Sequence, residues 1–197
     1  MARKLSNTRA LQIMTAARDE FGKRGFEGAR VDRIARKARV NKQLVFYYYH
    51  SKRGLFQAAV AQATRELEHA LAPIAVIEGR PLARLRAALD AQFEFLAGNP
   101  ELVALLVQAG RSEIRPFAPA IRRLVVLLAE GQGLGEVRDD LDPHLAAAQA
   151  LVLMIAYLGL EPLIAASAPS LSNEERALPQ RWKDAALRLV LEGVSVR

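Results

Sequence analysis

The stretch that most constrains the fold is Val31–Lys52, which reads VDRIARKARVNKQLVFYYYHSK. Ile34 and Ala38 are one turn apart, as in a short amphipathic helix, and this period breaks before Asn41. Asn is a preferred N-cap because its side-chain oxygen accepts a hydrogen bond from an unpaired amide of the first turn. The sequence therefore predicts two short helices joined by a sharp turn, the second formed by Lys42–Tyr49.

The side chains of this second helix divide by direction. Val45 and Tyr49 are four residues apart and share one face, whereas Lys42, Gln43 and Tyr47 occupy another. The first face can anchor the helix, while the second offers an ammonium, an amide and a phenol outward. Such groups bond base edges and phosphate oxygens. The pattern predicts the recognition helix of a helix-turn-helix.

The charge distribution is consistent with a nucleic-acid partner. Residues 1–56 carry 14 Lys and Arg against 4 Asp and Glu, a balance of +10, whereas residues 57–197 carry 14 against 17, a balance of −3. The excess behind the net charge of +7 is therefore confined to the segment with the helix-turn-helix, as phosphate neutralisation requires. Solvation of exposed helix faces alone would not polarise the chain so strongly.

A longer pattern surrounds the two short helices between Thr8 and Leu55. A first helix is predicted at Thr8–Lys23. The further positions of the pattern are Phe21, Gly25, Ile34-Ala35, Val40-Asn41, Val45-Phe46, Tyr49, Ser51-Lys52 and Leu55. This pattern resembles the DNA-binding domain of the tetracycline repressor (TetR) family of transcriptional regulators. Its order and spacing are kept over about the first quarter of the chain.

Two positions depart from the family pattern. The turn position that usually holds Gly is Arg39, whose backbone should tolerate a positive φ less well. The Thr or Ser that commonly precedes the second helix of the family is replaced by Ala29-Arg30. A helix cap is lost there and a charge is gained.

The resemblance implies a set of DNA contacts on and around the recognition helix. Gln43 is expected to touch a base, since an amide can bond bidentately to adenine. Leu44 stands where Thr is more usual, so it offers only apolar contact, for example to a thymine methyl group. Lys52 is expected to meet a phosphate. The predicted DNA-contacting residues are Arg30, Lys42, Gln43, Leu44, Tyr47, Tyr48 and Lys52.

Two features close to this region leave alternatives open. Arg3 and Lys4 form a basic arm that could reach phosphates or a minor groove, or could be a frayed terminus. Phe46 and Tyr49 belong to a dense aromatic cluster, and they could pack in the core or contact DNA.

The rest of the chain is helical in period, with no alternating strand pattern of useful length. Helices are predicted at residues 51–71, 81–97, 101–113, 120–131, 145–166 and 173–192. The predicted fold is therefore all-α. It comprises an N-terminal three-helix helix-turn-helix DNA-binding domain, residues 1–56, and a C-terminal helical bundle, residues 57–197.

Leu145–Leu160 is the most apolar stretch of the chain and raises the question of a membrane span. It has 16 residues, carries Gln149 and stops at Glu161-Pro162, whereas a bilayer needs about 20 apolar residues. A buried helix is predicted instead, and a helix that is apolar nearly all round needs partners on more than one side. The resemblance implies a homodimer through the last two long helices. Two recognition helices would then read a palindromic operator.

The resemblance also implies that the C-terminal domain binds a small-molecule effector, of unknown identity, which loosens operator binding. Arg111 and Arg115 are one turn apart and could meet an anionic ligand. Aromatic and Met residues on helices are more often plain core. The candidate pocket residues are Phe93, Phe95, Gln108, Arg111, Arg115, Phe117, Met154 and Tyr157.

Enzyme and metal-site alternatives find little support in the sequence. Glu66-x-x-His69 is a single copy of a spacing that di-iron bundles use twice. The glycine-rich piece Gly131–Gly135 follows a helix rather than a strand, so a phosphate loop is not expected. No Ser-His-acid or Cys-His group can be assembled, and we predict no enzyme activity, no cofactor and no metal.

The composition fits a soluble globular protein with 51% hydrophobic residues. The chain has no cysteine and no visible secretory signal, which predicts a cytoplasmic protein without a membrane partner. Two rival functions remain. One is a protein-interaction module whose helix-turn-helix has lost DNA binding, and the weaker one is a helical enzyme acting on an acyl or aromatic compound.

Overall fold

The structure is a computed structural model that describes residues 2–73, 78–109, 117–167 and 178–196. Over these residues the chain is helical and has no β-strand, apart from an isolated antiparallel bridge between Val137 and Ser195. The helices are α1 (Ala2–Gly28), α2 (Val31–Lys37), α3 (Lys42–Tyr49), α4 (Lys52–Leu71), α5 (Pro81–Ala97), α6 (Pro100–Ala109), α7 (Ala118–Gly133), α8 (Pro143–Ser167) and α9 (Leu178–Val194). The all-α prediction is confirmed.

The helices fall into two compact units. The first contains the described residues of Met1–Arg65 and Glu101–Pro116, and the second those of Glu66–Pro100 and Phe117–Arg197. The first unit therefore contains α1, α2, α3 and most of α4, together with α6. The sequence-based domain limits, 1–56 and 57–197, stay a prediction.

The first unit is built around aromatic and branched side chains. The ring of Phe56 lies 5.0 Å from that of Phe21 and 5.2 Å from that of Phe26, measured between centroids. Ile34 and Leu55, in the same unit, are also fully buried. Apolar burial of this kind, rather than intrinsic propensity, stabilises helices as short as α2 and α3.

Helix α1 is longer than predicted and is interrupted near its end. It begins at Ala2, so the backbone of Arg3 and Lys4 continues the helix. Gly25 has φ 66° and ψ 177°, a backbone conformation that residues with a side chain rarely adopt. A Cβ at this position would also lie 3.3 Å from Oε1 of Gln108. Gly25 therefore breaks α1 and admits Gln108 close to the backbone.

The start of α2 is capped by a side chain of another helix, α1. Arg30, the N-cap residue, makes no side-chain cap hydrogen bond, as its replacement of Thr or Ser predicts. Instead, Glu20 on α1 accepts a bond of 3.1 Å from the backbone amide of Arg30 and one of 2.6 Å from Nε of Arg33. Glu20 is buried. Its carboxylate therefore replaces the missing cap and ties α2 to α1.

Replacing Glu20 by Gln is expected to destabilise the protein. The variant keeps the shape of the side chain but removes the charge from two hydrogen bonds, each of which contributes about 1.5–3 kcal/mol when one partner is ionised. We expect a loss of about 2 kcal/mol in urea unfolding. Glu27→Gln, at an exposed site on the same helix, is the control, and we expect it to stay within about 0.5 kcal/mol of wild type. Equal stability of the two variants would contradict the capping role.

The turn between α2 and α3 corrects one expectation. Arg39 has φ 55° although it is not glycine. Its amide donates to the carbonyl of Arg36 at 3.1 Å, and that of Val40 donates to Ala35 at 3.0 Å. These are the two bonds of a Schellman motif, which places its C′ residue in the left-handed region. The hydrogen bonds therefore offset the conformational cost of the missing glycine.

In the second unit, α5 packs against α7, α8 and α9. Leu85, Leu89 and Phe93 of α5 are buried in this core. Lys183 of α9 is also buried, and its ammonium pairs with Asp90 at 2.8 Å and with Glu94. Burial opposes the charged form of Lys183, but the two carboxylates raise the pKa of the ammonium overall. The lysine is therefore held charged between α9 and α5.

Helix α8 differs from the prediction of a buried helix. Pro143–Leu160 is long and apolar enough to cross a membrane by length and composition, and 28% of this segment is buried within the chain. Leu145 and Val152 are exposed, the latter at 65%. A single chain therefore covers only part of α8, because the neighbouring helices of the described second unit pack on one side of it.

Candidate nucleic-acid interface

The recognition helix begins where the sequence predicts. Asn41 has extended backbone dihedrals, and its Oδ1 accepts a 2.7 Å hydrogen bond from the amide of Leu44. The helix then runs from Lys42 to Tyr49 and ends at His50, which has φ 62°. The N-cap fixes the entry of α3, so that its first residues stand at the end of the turn, where a recognition helix contacts base edges.

The two faces of α3 separate as predicted. Val45 is 1% exposed, whereas Tyr47 is 76% exposed. Tyr49 is half-buried, and its hydroxyl donates to the carbonyl of Ala10 at 3.3 Å. Burial, and to a smaller extent Tyr48, raises the pKa of Tyr49 above its usual value. Val45 and Tyr49 thus anchor α3, which leaves the opposite face free to meet a partner.

The predicted DNA-contacting residues lie in the first unit, at or near the surface. Arg30, Lys42, Gln43 and Tyr47 are exposed, and Leu44, Tyr48 and Lys52 are half-buried. The Tyr47 and Tyr48 rings are in contact, with centroids 5.5 Å apart and planes nearly perpendicular. Phe46, whose role was left open, is 36% exposed and therefore lies at the edge of the core.

Lys52 has a fixed position at the start of α4. Its Nζ donates to the carbonyl of Glu27 at 3.1 Å and lies 4.7 Å from the ring centroid of Phe26. An ammonium has three donors, so this bond leaves others for a phosphate. Ser51 caps the same helix, because its Oγ accepts the amide of Gly54 at 2.9 Å. Lys52 is thus held at a helix N-terminus, a favourable place for an anion.

Sequence reasoning missed an acidic neighbour of the recognition helix. Asp32, in the first turn of α2, pairs with Lys42 at 3.0 Å. The two residues are ten positions apart, and only the packing of α2 against α3 brings them together. The sequence shows only that α2 carries a carboxylate and that α3 begins with a lysine. These two facts alone do not predict that the side chains are in contact.

The described candidate pocket residues fall in both units. Phe93, Met154 and Tyr157 are buried in the second unit, whereas Gln108 belongs to the first. The Tyr157 ring lies 5.5 Å from that of Trp182, which the sequence analysis did not include. Phe95 and Phe117 are half-buried, and Arg111 and Arg115 lie outside the described residues. The pocket therefore stays a prediction.

Ligand sets for a metal do not occur in the part of the chain that the structure describes. No group of three or more His, Asp or Glu residues is close enough there to hold an ion. Glu66 and His69 thus have no third ligand within those residues. The chemistry that the first unit presents is an exposed polar helix on a basic surface.

Helices α1, α2 and α3 have the arrangement of a helix-turn-helix DNA-binding protein, in which the last of the three helices presents polar side chains to the duplex. Residues 13–59 match the model for the bacterial regulatory proteins of the tetR family. The HTH-type transcriptional repressor SCO4008 of Streptomyces coelicolor is 32% identical over 135 residues, 65% of this chain and 67% of that protein. The HTH-type transcriptional repressor NicS of Pseudomonas putida is 27% identical over 139 residues, 66% of each chain. The chain spans about two thirds of the length of these relatives.

Solved structures extend the similarity over nearly the whole chain. The transcriptional regulator SCO4942 of Streptomyces coelicolor superimposes with a TM-score of 0.74 at 26% identity, covering 94% of this chain and 97% of that one. FadR of Bacillus subtilis, solved with stearoyl-CoA, has the same fold, with a TM-score of 0.75 at 18% identity over 93% of this chain and 98% of its own. The chain therefore belongs to the TetR family. The family and its named relatives are transcriptional regulators rather than enzymes, and the prediction of a repressor-type, DNA-binding regulator is confirmed.

Proposed function

We propose that the protein is a cytoplasmic homodimeric repressor that binds a palindromic operator through α3 and is released by a small-molecule effector. The observation that carries the proposal is the division of α3 into a buried face around Val45 and an exposed face bearing Lys42, Gln43 and Tyr47. An exposed amide and phenol beside a lysine can read base edges, while the positive balance of residues 1–56 attracts the phosphates.

The dimer part of the proposal is supported by the exposed face of α8 and α9. Val152 and Leu163 on α8 and Leu189 on α9 are each more than half exposed. The two helices are neighbours in the second unit, and exposed apolar surface of this kind is typical of an interface. A two-fold contact of these helices would cover the side of α8 that the chain itself leaves open, which makes a second copy a better partner than a membrane.

The effector part of the proposal places a small molecule in the second unit. Phe93, Met154 and Tyr157 supply buried apolar and aromatic surface there, and Trp182 extends it. Ligand sites are largely apolar with a few polar groups that fix orientation. FadR, which has the same fold, was solved in complex with stearoyl-CoA, and this supports a small-molecule effector for the present chain. No catalytic role is proposed for any residue.

Replacing Gln43 by Ala tests the proposal at the base-reading step. We expect the variant to keep its fold and to lose about 1–3 kcal/mol of discrimination at one base pair per half-site. The measurement is a mobility-shift assay on the upstream region of the protein's own gene, with single-base variants of the bound site. Gln57→Ala, at an exposed glutamine on α4 that is not among the predicted contacts, is the matched control. Binding that discriminates bases equally with and without Gln43 would argue against the proposed contact.

The same assay distinguishes the proposed repressor from the rival function, a protein-interaction module that does not bind DNA. A repressor of this kind binds duplex DNA with an affinity that falls steeply as salt rises. Failure of the wild-type protein to bind any duplex at low salt would favour the rival.

A further inference from the structure

A carboxylate stands beside the lysine that begins the recognition helix. Nζ of Lys42 lies 3.0 Å from Oδ1 of Asp32 and 3.1 Å from Oδ2. The side chains of Lys42 and Asp32 are 49% and 61% exposed, so the pair lies at the surface. It joins the first turn of α2 to the first residue of α3, on the helix that carries Gln43 and Tyr47.

A second contact restrains the same ammonium. Nζ of Lys42 lies 5.9 Å from the ring centroid of Phe46, within the range of a cation–π interaction. An ammonium has three N–H donors, and a carboxylate that accepts with both oxygens leaves at least one donor for another acceptor. Lys42 is therefore held between Asp32 and Phe46 while it can still bond one further group.

An acidic side chain in this position opposes DNA binding in general. Exposed carboxylates repel phosphates, and a lysine that is already paired contributes less to counterion release than an unpaired one. Exposed ion pairs contribute little to folding stability. The pair therefore has a small effect on the fold but a direct one on the charge that α3 presents to a duplex.

We infer that Asp32 determines DNA selectivity by positioning Lys42 and limiting its contribution to sequence-independent binding. The inference rests on the proposed function and deepens it. On non-operator DNA, the pair lowers affinity because phosphate attraction is the main source of binding. On the operator, the restrained ammonium offers its remaining donor with little loss of side-chain freedom, so the pair costs less affinity there.

The test is Asp32→Asn, which keeps the shape of the side chain. One duplex is selected from a random library by the wild-type protein, and the second is a scrambled duplex of the same length and composition. We expect affinity for the scrambled duplex to rise about fivefold, as expected for the loss of one screened charge. The logarithmic salt dependence should become steeper by about 0.9, the value of one more neutralised phosphate. The affinity ratio of selected to scrambled duplex should fall about threefold or more.

Asp140→Asn is the matched control. Asp140 pairs with Arg138 at 2.6 Å, is exposed and lies in the second unit, so its replacement also removes one negative charge and breaks an exposed ion pair. We expect salt dependence and selectivity close to those of wild type. An Asp140→Asn variant that behaves like Asp32→Asn would show an effect of net charge and would overturn the inference.

The Lys42→Met background shows whether Asp32 acts through Lys42. We expect the loss of selectivity caused by Asp32→Asn to become much smaller there, and an undiminished loss would overturn the inference. Asp32 also lies in the first turn of α2, where an acid stabilises a helix. A variant with a lower melting temperature but unchanged salt dependence and selectivity would leave Asp32 with that structural role alone.

The outcomes separate the inference from the proposed function. If the wild-type protein selects a duplex while Asp32→Asn leaves selectivity and salt dependence unchanged, only the inference is wrong. If the wild-type protein binds neither duplex at low salt, the proposed function is wrong and the inference falls with it.

Discussion

Replacing Val152 by Asp is expected to convert the proposed dimer into a monomer and to weaken operator binding by about 10²- to 10⁴-fold. Val152 is 65% exposed on α8, so the variant chain should fold. In the proposed interface the new carboxylates would be buried without a partner, which costs several kcal/mol. A monomer then loses the gain from binding two half-sites at once. Sedimentation equilibrium measures the first effect, and mobility shifts on the operator measure the second.

Leu134→Asp is the control for this experiment. Leu134 is 69% exposed and is the C-cap residue of α7, so it does not belong to α8 or α9, the helices of the proposed interface. We expect this variant to remain dimeric and to bind the operator as the wild type does. A Val152→Asp variant that stays dimeric at the same concentrations would show that this part of α8 is not the interface.

The second large effect is expected from Gly54→Ala, which should destabilise the first unit and remove most operator binding. A Cβ at Gly54 would lie 2.3 Å from the carbonyl oxygen of Tyr49, the last residue of α3. Because backbone cannot yield as a flexible side chain does, α3 or the start of α4 must move. Overpacking of this kind typically costs about 1–3 kcal/mol. Urea unfolding measures the stability, and a displaced recognition helix should lower operator affinity at least about tenfold.

Gly133→Ala provides a matched substitution without the overlap. A Cβ at Gly133, the last residue of α7, would have no atom within 4 Å apart from the backbone of its own helix and its chain neighbours. Since alanine loses less conformational freedom than glycine in a helix, we expect this variant to be as stable as wild type or more stable by up to about 1 kcal/mol. Equal stability of the two variants would show that α3 and α4 accommodate the added methyl group.

The helices that the sequence predicted best have explicit start and stop signals. Helix α5 begins at Pro81 and ends before Gly98, and both ends agree with the prediction. The start of α1 was placed six residues too late, at Thr8 instead of Ala2, because no apolar period marks the first turns. The sequence therefore predicted the ends of a helix correctly where a helix-breaking or capping residue was present. It predicted the end wrongly where the helix continues through polar residues.

The candidate site was predictable in its local pattern but not in its contacts across helices. The exposed face of α3 followed from a four-residue spacing, which needs no knowledge of the fold. Glu20 caps α2 from ten residues away, and Asp32 restrains Lys42 over the same separation. A charged residue on a helix has many possible partners, and only the packing of α1, α2 and α3 selects among them. The sequence thus predicted which side chains face outward, but not which neighbours hold them.

Two non-glycine residues with positive φ flank the recognition helix, Arg39 at φ 55° and His50 at φ 62°. Glycine at these joints would let the backbone sample many orientations of α3, whereas a residue with a side chain has few allowed conformations at positive φ. The orientation of α3 is thereby set when the chain folds, and little rotational freedom is left to lose when a duplex arrives. Because both joints are rigid, α3 should bind weakly to a groove whose shape does not fit it, since it cannot reorient to improve the fit.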